Sequence, residues 1–238
     1  MLDDLKYLFA YTIPLSTLLA IFSEGIFTFA TPIYAFIFIP FLEIIMKDYD
    51  TKYDEDQKKK RLSNRIFDIL LYLNIPFVFI LLFFGLNKLT GNSLIIIEKV
   101  GIVSSLGILL ATNAINVAHE LGHRMSRTER TLSKILLIPC LYMHFYLEHN
   151  FGHHKNVATP EDPATSKFNQ SVYHFWITSV FNQFINAWKI QKEILKRSEK
   201  SFISFQNDMI WYMIIQSAYL YLIFMFFGVY GLFYAVIV

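Results

Sequence analysis

Apolar residues occur in long runs along this chain, separated by short polar segments. The runs cover about residues 7–22, 26–46, 66–86, 94–118 and 209–227. The hydrocarbon core of a bilayer is about 30 Å thick, so an α-helix needs roughly 20 apolar residues to cross it. We therefore predict an all-α integral membrane protein, a helical bundle of about five complete transmembrane helices.

Two further apolar segments are too short to cross a bilayer. Residues 232–238 are predicted to begin a sixth transmembrane helix that is cut off, and the 13-residue run 135–147 is predicted to be re-entrant or interfacial. The sequence contains no internal repeat and no low-complexity linker. We interpret residues 1–238 as a single membrane domain that is incomplete at its C-terminus.

The composition agrees with this prediction and limits the possible partners. The chain is 55% hydrophobic and 17% charged, which is typical of membrane proteins. Its net charge is +2 and its basic residues lie in loops, so the lipid bilayer is the expected environment and no nucleic acid is expected. The single cysteine, Cys140, excludes an intrachain disulfide and a multi-thiolate metal site, leaving imidazole and carboxylate as metal ligands.

Charge in the loops predicts the orientation of the chain. Residues 47–65 contain seven lysines and arginines, and basic loops favour the cytoplasmic side of a cell (inner) membrane. Counting spans from this loop places the end of run 94–118 on the same side. The histidine-rich segment that follows is therefore predicted to face the cytoplasm.

Histidine is confined to one part of the chain. All seven histidines lie within a window of 56 residues, at positions 119, 123, 144, 149, 153, 154 and 174. His119 and His123 form a first box with helical i, i+4 spacing, which places both rings on one helix face. His149 and His153 repeat this spacing in a second box. His154 lies about 100° further around an α-helix, which suits a different coordination position or a second metal.

These two boxes predict a metal centre. Five imidazoles, from His119, His123, His149, His153 and His154, are more than one tetrahedral site normally takes from a protein. Two metal ions are the simpler interpretation. Iron, zinc and copper all accept ligation rich in imidazole, so the donor set alone leaves the metal open.

Other polar residues near the boxes can orient the ligand imidazoles through hydrogen bonds. The candidates for this role are Asn116, Glu120, Glu148 and Asp162. His144 and His174 have no partner at helical spacing in their own segments, so we expect each to be a supporting or interfacial residue. The letters His-Glu-x-x-His at 119–123 also match the zinc metalloprotease motif, in which Glu120 would be the general base.

The two boxes together resemble a known family. Residues 116–123 read Asn-Val-Ala-His-Glu-Leu-Gly-His, and residues 148–166 read Glu-His-Asn-Phe-Gly-His-His-Lys-Asn-Val-Ala-Thr-Pro-Glu-Asp-Pro-Ala-Thr-Ser. These strings closely resemble the membrane alkane 1-monooxygenases, which are related to the integral-membrane fatty-acid desaturases and hydroxylases. The second string carries most of the resemblance, because it fixes more than a dozen letters where a generic metal site fixes three or four.

The resemblance implies a specific activity. It implies a non-haem di-iron monooxygenase of lipid metabolism, which hydroxylates the terminal carbon of an alkane with O2 and electrons from rubredoxin and rubredoxin reductase. In this family the five box histidines would be ligands of two Fe. The family also carries two further histidine boxes downstream of the position where this chain ends, so we expect an incomplete chain that is inactive by itself.

Two other functions remain open at this point. A related di-iron lipid desaturase or alkylbenzene hydroxylase would share the fold and the ligands and differ in its substrate. An intramembrane zinc metalloprotease would use His119, Glu120 and His123, but it needs a third ligand, and residues 209–238 contain no acidic residue.

Overall fold

The computed structural model describes residues 2–46, 54–56, 61 and 64–238, with side chains described from residue 6 onward. These residues form helices and no strands, as the hydrophobic pattern predicted. The helices are α1 (Thr12–Phe22), α2 (Gly25–Ile45), α3 (Ile66–Thr90), α4 (Ile96–Gly122), α5 (Arg127–Leu136), α6 (145–156), α7 (Val172–Arg197) and α8 (Asp208–Ile237). Most of the basic loop 47–65, which predicted the orientation, lies outside the described residues.

Four helices of the described part are long and apolar enough to cross a membrane: α2, α3, α4 and α8. The first predicted span differs, because the apolar helical segment Lys6–Phe22 falls short of that length. The last two apolar runs lie in the helical segment Asp208–Ile237, which a kink between them divides into two helices. Gly228 interrupts this segment with a φ of 65°, a left-handed conformation that glycine adopts without a Cβ clash.

The apolar run 135–147 forms no helix of spanning length, in agreement with its short sequence. Helix α5 ends at Leu136, turns follow, and the chain becomes helical again at Phe145. Leu141 has a φ of 50°, which an α-helix does not contain. The turns therefore separate the two histidine boxes without a crossing helix between them.

The chain divides into two compact units, residues 1–117 with 223–238 and residues 118–222. In the first unit, small residues allow close contact between helices, as is common in membrane proteins. A Cβ added at Gly101 of α4 would lie 2.3 Å from Thr28 Oγ1 and 2.8 Å from the Phe29 ring. A Cβ at Gly85 of α3 would lie 2.7 Å from a Leu106 methyl carbon. These glycines bring α2 and α3 close against α4.

Polar side chains inside the first unit have hydrogen-bond partners within the same unit. The Glu98 carboxylate accepts hydrogen bonds from the backbone N–H groups of Gly25 (2.7 Å) and Ile95 (3.0 Å). The Asn113 side-chain amide donates to Asn74 Oδ1 at 2.8 Å. An unsatisfied polar group in a bilayer costs several kcal/mol, so these bonds fix the packing of the helices that carry them.

Replacement of Gly101 by leucine is expected to destabilise the first unit by about 1–3 kcal/mol, because the new side chain must displace Thr28 and Phe29. Thermal unfolding in detergent measures this loss. Val100→Leu is the matched control, because Val100 is the neighbouring residue on α4 and its side chain is exposed. Equal unfolding temperatures for the two variants would contradict the close packing at Gly101.

The second unit contains the end of α4, the helices α5–α7 and the beginning of α8. Its interior is formed by buried apolar side chains, namely Leu121, Leu136, Leu137, Met143 and Leu147. The Ser133 hydroxyl on α5 donates to the Ala118 carbonyl oxygen at 2.6 Å. The Met143 N–H donates to Gln216 Oε1 on α8 at 3.3 Å. All seven histidines lie in this unit, so its packing determines the geometry of both boxes.

Candidate metal centre

The first histidine box occupies the last turns of α4. His119 and His123 are four residues apart in an α-helical segment, Asn116–Gly122 and the turn after it, so both rings lie on one face. Their ring centroids are 4.7 Å apart. The i, i+4 spacing therefore produces the arrangement that the sequence predicted for this pair.

The second box adopts a different helical geometry. Residues His149–His153 form a π-helical segment inside α6, and the His154 N–H donates to the His149 carbonyl oxygen five residues earlier. A π-helix closes hydrogen bonds between residues five apart, so its turn is wider than that of an α-helix. Here the Nε2 atom of His154 lies 3.0 Å from that of His149, and the His153 ring stacks on the His149 ring with centroids 5.3 Å apart. The α-helical spacing used in the prediction had paired His149 with His153.

Four imidazoles converge at one point in the second unit. The ligand nitrogens of His119, His123, His149 and His154 all lie within 4.8 Å of one another. The Nε2 atom of His149 is 3.1 Å from that of His119, 3.2 Å from that of His123 and 3.0 Å from that of His154. His149 is thus the central member of the cluster.

Hydrogen bonding among these imidazoles cannot satisfy the cluster. A neutral imidazole nitrogen is either a donor or an acceptor. The Nε2 atoms of His123, His149 and His154 form a closed triangle with sides of 3.2, 3.0 and 3.3 Å. Three atoms that all contact one another cannot alternate donor and acceptor, so at least one pair presents like groups to each other. A cation among the four nitrogens would remove this conflict, because each lone pair would then point towards it.

The distances also suit a metal ion. Imidazole nitrogens bind first-row metals at about 2.0–2.1 Å, which places neighbouring ligands of a tetrahedral site about 3.4 Å apart. The observed Nε2 separations around His149, 3.0–3.2 Å, are close to this value. The donor set and the spacing therefore both fit a metal bound by imidazoles.

Burial keeps the central imidazole neutral. Burial lowers the pKa of His149 to about 3, and the neighbouring imidazoles lower it as well. Burial, followed by His123 and His153, also lowers the pKa of His154. The Phe145 ring stacks on His149 with centroids 4.7 Å apart and shields it from water. A neutral ring keeps the lone pair that a metal ligand requires.

His153 contacts a carboxylate instead of the cluster of four. Its Nδ1 atom lies 2.8 Å from Asp162 Oδ2. The buried Asp162 also accepts hydrogen bonds from Thr165 Oγ1 (2.5 Å) and from the Ala164 N–H (2.9 Å). Burial raises the pKa of Asp162, but the hydrogen bonds from Thr165, Ala164 and His153 outweigh burial and hold the pKa below its usual range. Asp162 thus fixes the orientation of the His153 ring, as a carboxylate behind a metal ligand does.

Glu148, one of the predicted supporting residues, is bound by a residue that the sequence did not indicate. Its buried carboxylate accepts a hydrogen bond from Asn186 Nδ2 on α7 at 3.1 Å, and burial raises its pKa. Gly152 lies against this pair: a Cβ there would be 2.7 Å from Glu148 Oε1 and 3.0 Å from Asn186 Nδ2. Asn186 is 38 residues away from Glu148, so only the packing of α7 against α6 reveals it.

The other residues that were predicted to support the imidazoles are Asn116, Glu120, His144 and His174, and each has a different environment. Glu120 is exposed and forms an ion pair with Arg124 at 2.9 Å. Asn116 is exposed on α4. His144 is buried between the rings of Tyr142 and Phe184, at centroid distances of 4.8 and 5.1 Å, and burial lowers its pKa to about 4. His174 is exposed on α7.

This geometry bears on the zinc metalloprotease alternative. Such a site uses the glutamate of His-Glu-x-x-His as a general base beside the metal. Here Glu120 pairs with Arg124, and His149 and His154 from the second box join His119 and His123. The motif therefore contributes two imidazoles to a larger cluster.

Comparisons with known proteins agree with the sequence pattern. Residues 99–238 match the family described as fatty acid desaturase. The chain is 35% identical to alkane 1-monooxygenase 2 of Alcanivorax borkumensis over 75% of this chain and 48% of that protein. It is 33% identical to alkane 1-monooxygenase of Pseudomonas putida over 80% of this chain and 47% of that protein. The chain thus spans about half the length of these relatives.

A relative with a lower sequence identity is named for the hydroxylation of a different substrate class. The hydroxylase component XylM of the xylene/toluene monooxygenase from Pseudomonas putida is 27% identical over 62% of this chain and 41% of that protein. The similarity therefore extends beyond the alkane 1-monooxygenases to another hydroxylase.

Proposed function

Because the chain belongs to the fatty acid desaturase family and, within it, to the alkane monooxygenases, we propose that its histidine cluster holds iron for terminal alkane hydroxylation. The convergence of four imidazole nitrogens from two distant boxes supports this proposal most directly. The proposed reaction uses O2 and electrons from rubredoxin and rubredoxin reductase. Its substrate is an alkane that enters from the bilayer.

The chain offers ligands for two irons under this proposal. His119, His123, His149 and His154 would hold one iron through their Nε2 atoms. His153 is the fifth proposed ligand, because the contact of its Nδ1 atom with Asp162 leaves Nε2 for a second iron. When bound, iron supplies the capacity to activate O2 for attack on an unactivated C–H bond.

The protein residues hold the imidazoles in position. Phe145 covers one face of His149 and shields this buried ring from water, whereas His119, His123 and His154 are exposed. Asp162 holds His153 in one orientation, and Asn186 holds the buried Glu148 next to His149. Ligands fixed in this way reduce the reorganisation that a reaction of charged groups would otherwise require. We propose that the site faces the cytoplasm at the inner membrane, where a soluble electron donor can reach it.

The proposal predicts both iron binding and a specific product. The purified protein is loaded with ferrous iron without oxygen, and iron is counted per chain. It is then mixed with O2, reduced rubredoxin and n-octane, and the products are separated by gas chromatography. We expect iron in the histidine cluster. The product of the proposed reaction is 1-octanol, whereas unchanged n-octane is the result expected of a chain that is inactive by itself. A protein that binds zinc but no iron would contradict the proposal.

The similarity to XylM supports a second candidate, alkylbenzene hydroxylation. Xylene and a fatty acyl substrate are therefore tested beside n-octane under the same conditions. A benzylic alcohol as the main product would favour the alkylbenzene hydroxylase, and a new double bond in the acyl chain would favour a desaturase. The metal centre would be shared by all three enzymes, so only the product distinguishes them.

A further inference from the structure

Helix α7 carries an apolar stripe that the described residues of the chain leave exposed. Tyr173, Trp176, Ile177, Val180 and Phe181 recur at the spacing of one face of an amphipathic helix. Four of these side chains are strongly exposed: Tyr173 71%, Trp176 59%, Ile177 62% and Phe181 68%. In a water-soluble protein such a stripe would be buried, so its exposure requires an explanation.

The buried residues of α7 are small or polar as often as they are apolar. Ser179, Gln183 and Gln191 are buried together with Ala187 and Leu195, and each glutamine has a partner. The Tyr142 hydroxyl donates to Gln183 Oε1 at 2.5 Å, and Gln191 Nε2 donates to the Gln206 carbonyl oxygen at 3.2 Å. The helix therefore buries glutamines while its large apolar stripe stays exposed, which is not the arrangement expected in water.

The end of α7 and the loop after it provide a second, separate observation. The last part of the helix carries exposed lysines at positions 189, 192 and 196. The loop that follows exposes Phe202, Ile203 and Phe205. Only ten residues, 198–207, separate α7 from α8, one of the helices apolar enough to cross a membrane. Ten residues extend to at most about 35 Å, so α7 must end near the point where α8 enters the bilayer.

We propose that α7 lies on the surface of an anionic membrane leaflet, with its apolar stripe inserted at the boundary between headgroups and acyl chains. Tyrosine and tryptophan favour this boundary, because their rings have an apolar body and a polar group. Lys192 and Lys196, near the end of the helix, extend towards lipid phosphates, which attract basic side chains near an anionic surface. The proposal is independent of any metal.

A lipid partner fits these features better than a protein partner. The side of α7 with His174, Thr178, Asn182 and Lys189 lines a cavity of about 780 Å³, whereas the stripe residues line no part of it. The stripe combines bulky aromatic groups with adjacent basic residues, which is the pattern of helices that lie in the membrane interface. The exposed aromatic loop continues this apolar surface towards the span.

Quenching of tryptophan fluorescence by brominated lipids tests the proposal. The chain has three tryptophans, at 176, 188 and 211. The variant W188F/W211F leaves Trp176 as the single fluorophore, and the protein is reconstituted in vesicles of phosphatidylcholine and phosphatidylglycerol. We expect lipids brominated near the top of the acyl chain to reduce its emission by about half, as for a ring inserted 5–10 Å below the headgroups. Acrylamide in the aqueous phase should quench it weakly.

A matched control places the fluorophore on another side of the same helix. In the variant W176F/W188F/W211F, the substitution Asn182→Trp introduces a single tryptophan on the side that lines the cavity. We expect this residue to be quenched by acrylamide and not by brominated lipid. Circular dichroism verifies that both variants retain the helical content of the parent protein.

Two outcomes would overturn the proposal. If Trp176 responds to acrylamide and not to brominated lipid, the stripe faces water. If it responds to neither quencher, another part of a protein covers the stripe. A further variant, Lys192→Gln with Lys196→Gln, should weaken the quenching of Trp176 in vesicles that contain phosphatidylglycerol and leave it unchanged in pure phosphatidylcholine. Equal quenching in both vesicles would overturn the role of the anionic lipid.

Discussion

A protein with His149→Ala is expected to lose at least about a hundredfold in its affinity for iron, since removal of a ligand costs more than the loss of an outer-shell partner. His149 is the only imidazole of the cluster with a hydrogen-bond-range contact to each of the other three. It is also the buried member, so no water-exposed side chain nearby can replace it. Titration with ferrous iron against a competing chelator measures the change.

His174→Ala is the matched control for this experiment. His174 belongs to the same compact unit and is exposed on α7, away from the four-imidazole cluster. Its removal is expected to leave iron affinity unchanged. Circular dichroism of both variants shows whether the helices are retained. Wild-type affinity in the His149 variant would refute the assignment of the cluster as the metal centre.

A protein with Asp162→Ala is expected to bind metal about 10–100-fold more weakly, because the His153 ring loses the carboxylate that orients it. Asp162→Asn should recover part of this loss of affinity, since the side-chain amide oxygen can still accept a hydrogen bond from the N–H group at His153 Nδ1. The pattern of loss and partial rescue distinguishes an orienting role from general destabilisation. Chelator competition provides the affinities, and thermal unfolding of each variant provides the stability.

Glu161→Ala is the control for the Asp162 variants. Glu161 is the adjacent acidic residue and is exposed, so its removal changes the net charge of the loop without a change at His153. Metal affinity should stay at the wild-type level. If Asp162→Ala also stays at that level, then His153 does not depend on Asp162 for its position.

The two boxes differ in how well the sequence predicted them. The α-helical spacing of His119 and His123 was correct, because that part of α4 is a regular α-helix. The same spacing failed to describe the geometry of the second box, because His149–His153 forms a π-helical turn. A count of residue spacings assumes α-helical geometry, so it does not reveal the wider π-helical turn. The assignment of the five histidines as ligands stays a prediction.

The fold was predictable to the extent that it depends on local apolar runs. Runs 66–86 and 94–118 became α3 and α4, with ends a few residues away. Contacts between distant residues were not predictable: Asn186 is 38 positions from Glu148, and Asn74 is 39 positions from Asn113. Such pairs are determined by helix packing, which a single sequence does not encode in its spacing.

The central cluster joins segments that are far apart along the chain. His119 and His149 are separated by 30 residues, and the intervening turns include the left-handed Leu141. A metal held by both would act as a cross-link, in a protein whose single cysteine cannot form an intrachain disulfide. Closing a loop of this length removes about 3–4 kcal/mol of entropy from the unfolded chain. Iron would then be a structural component as well as a reactive one, so removal of iron would lower the stability of the folded protein.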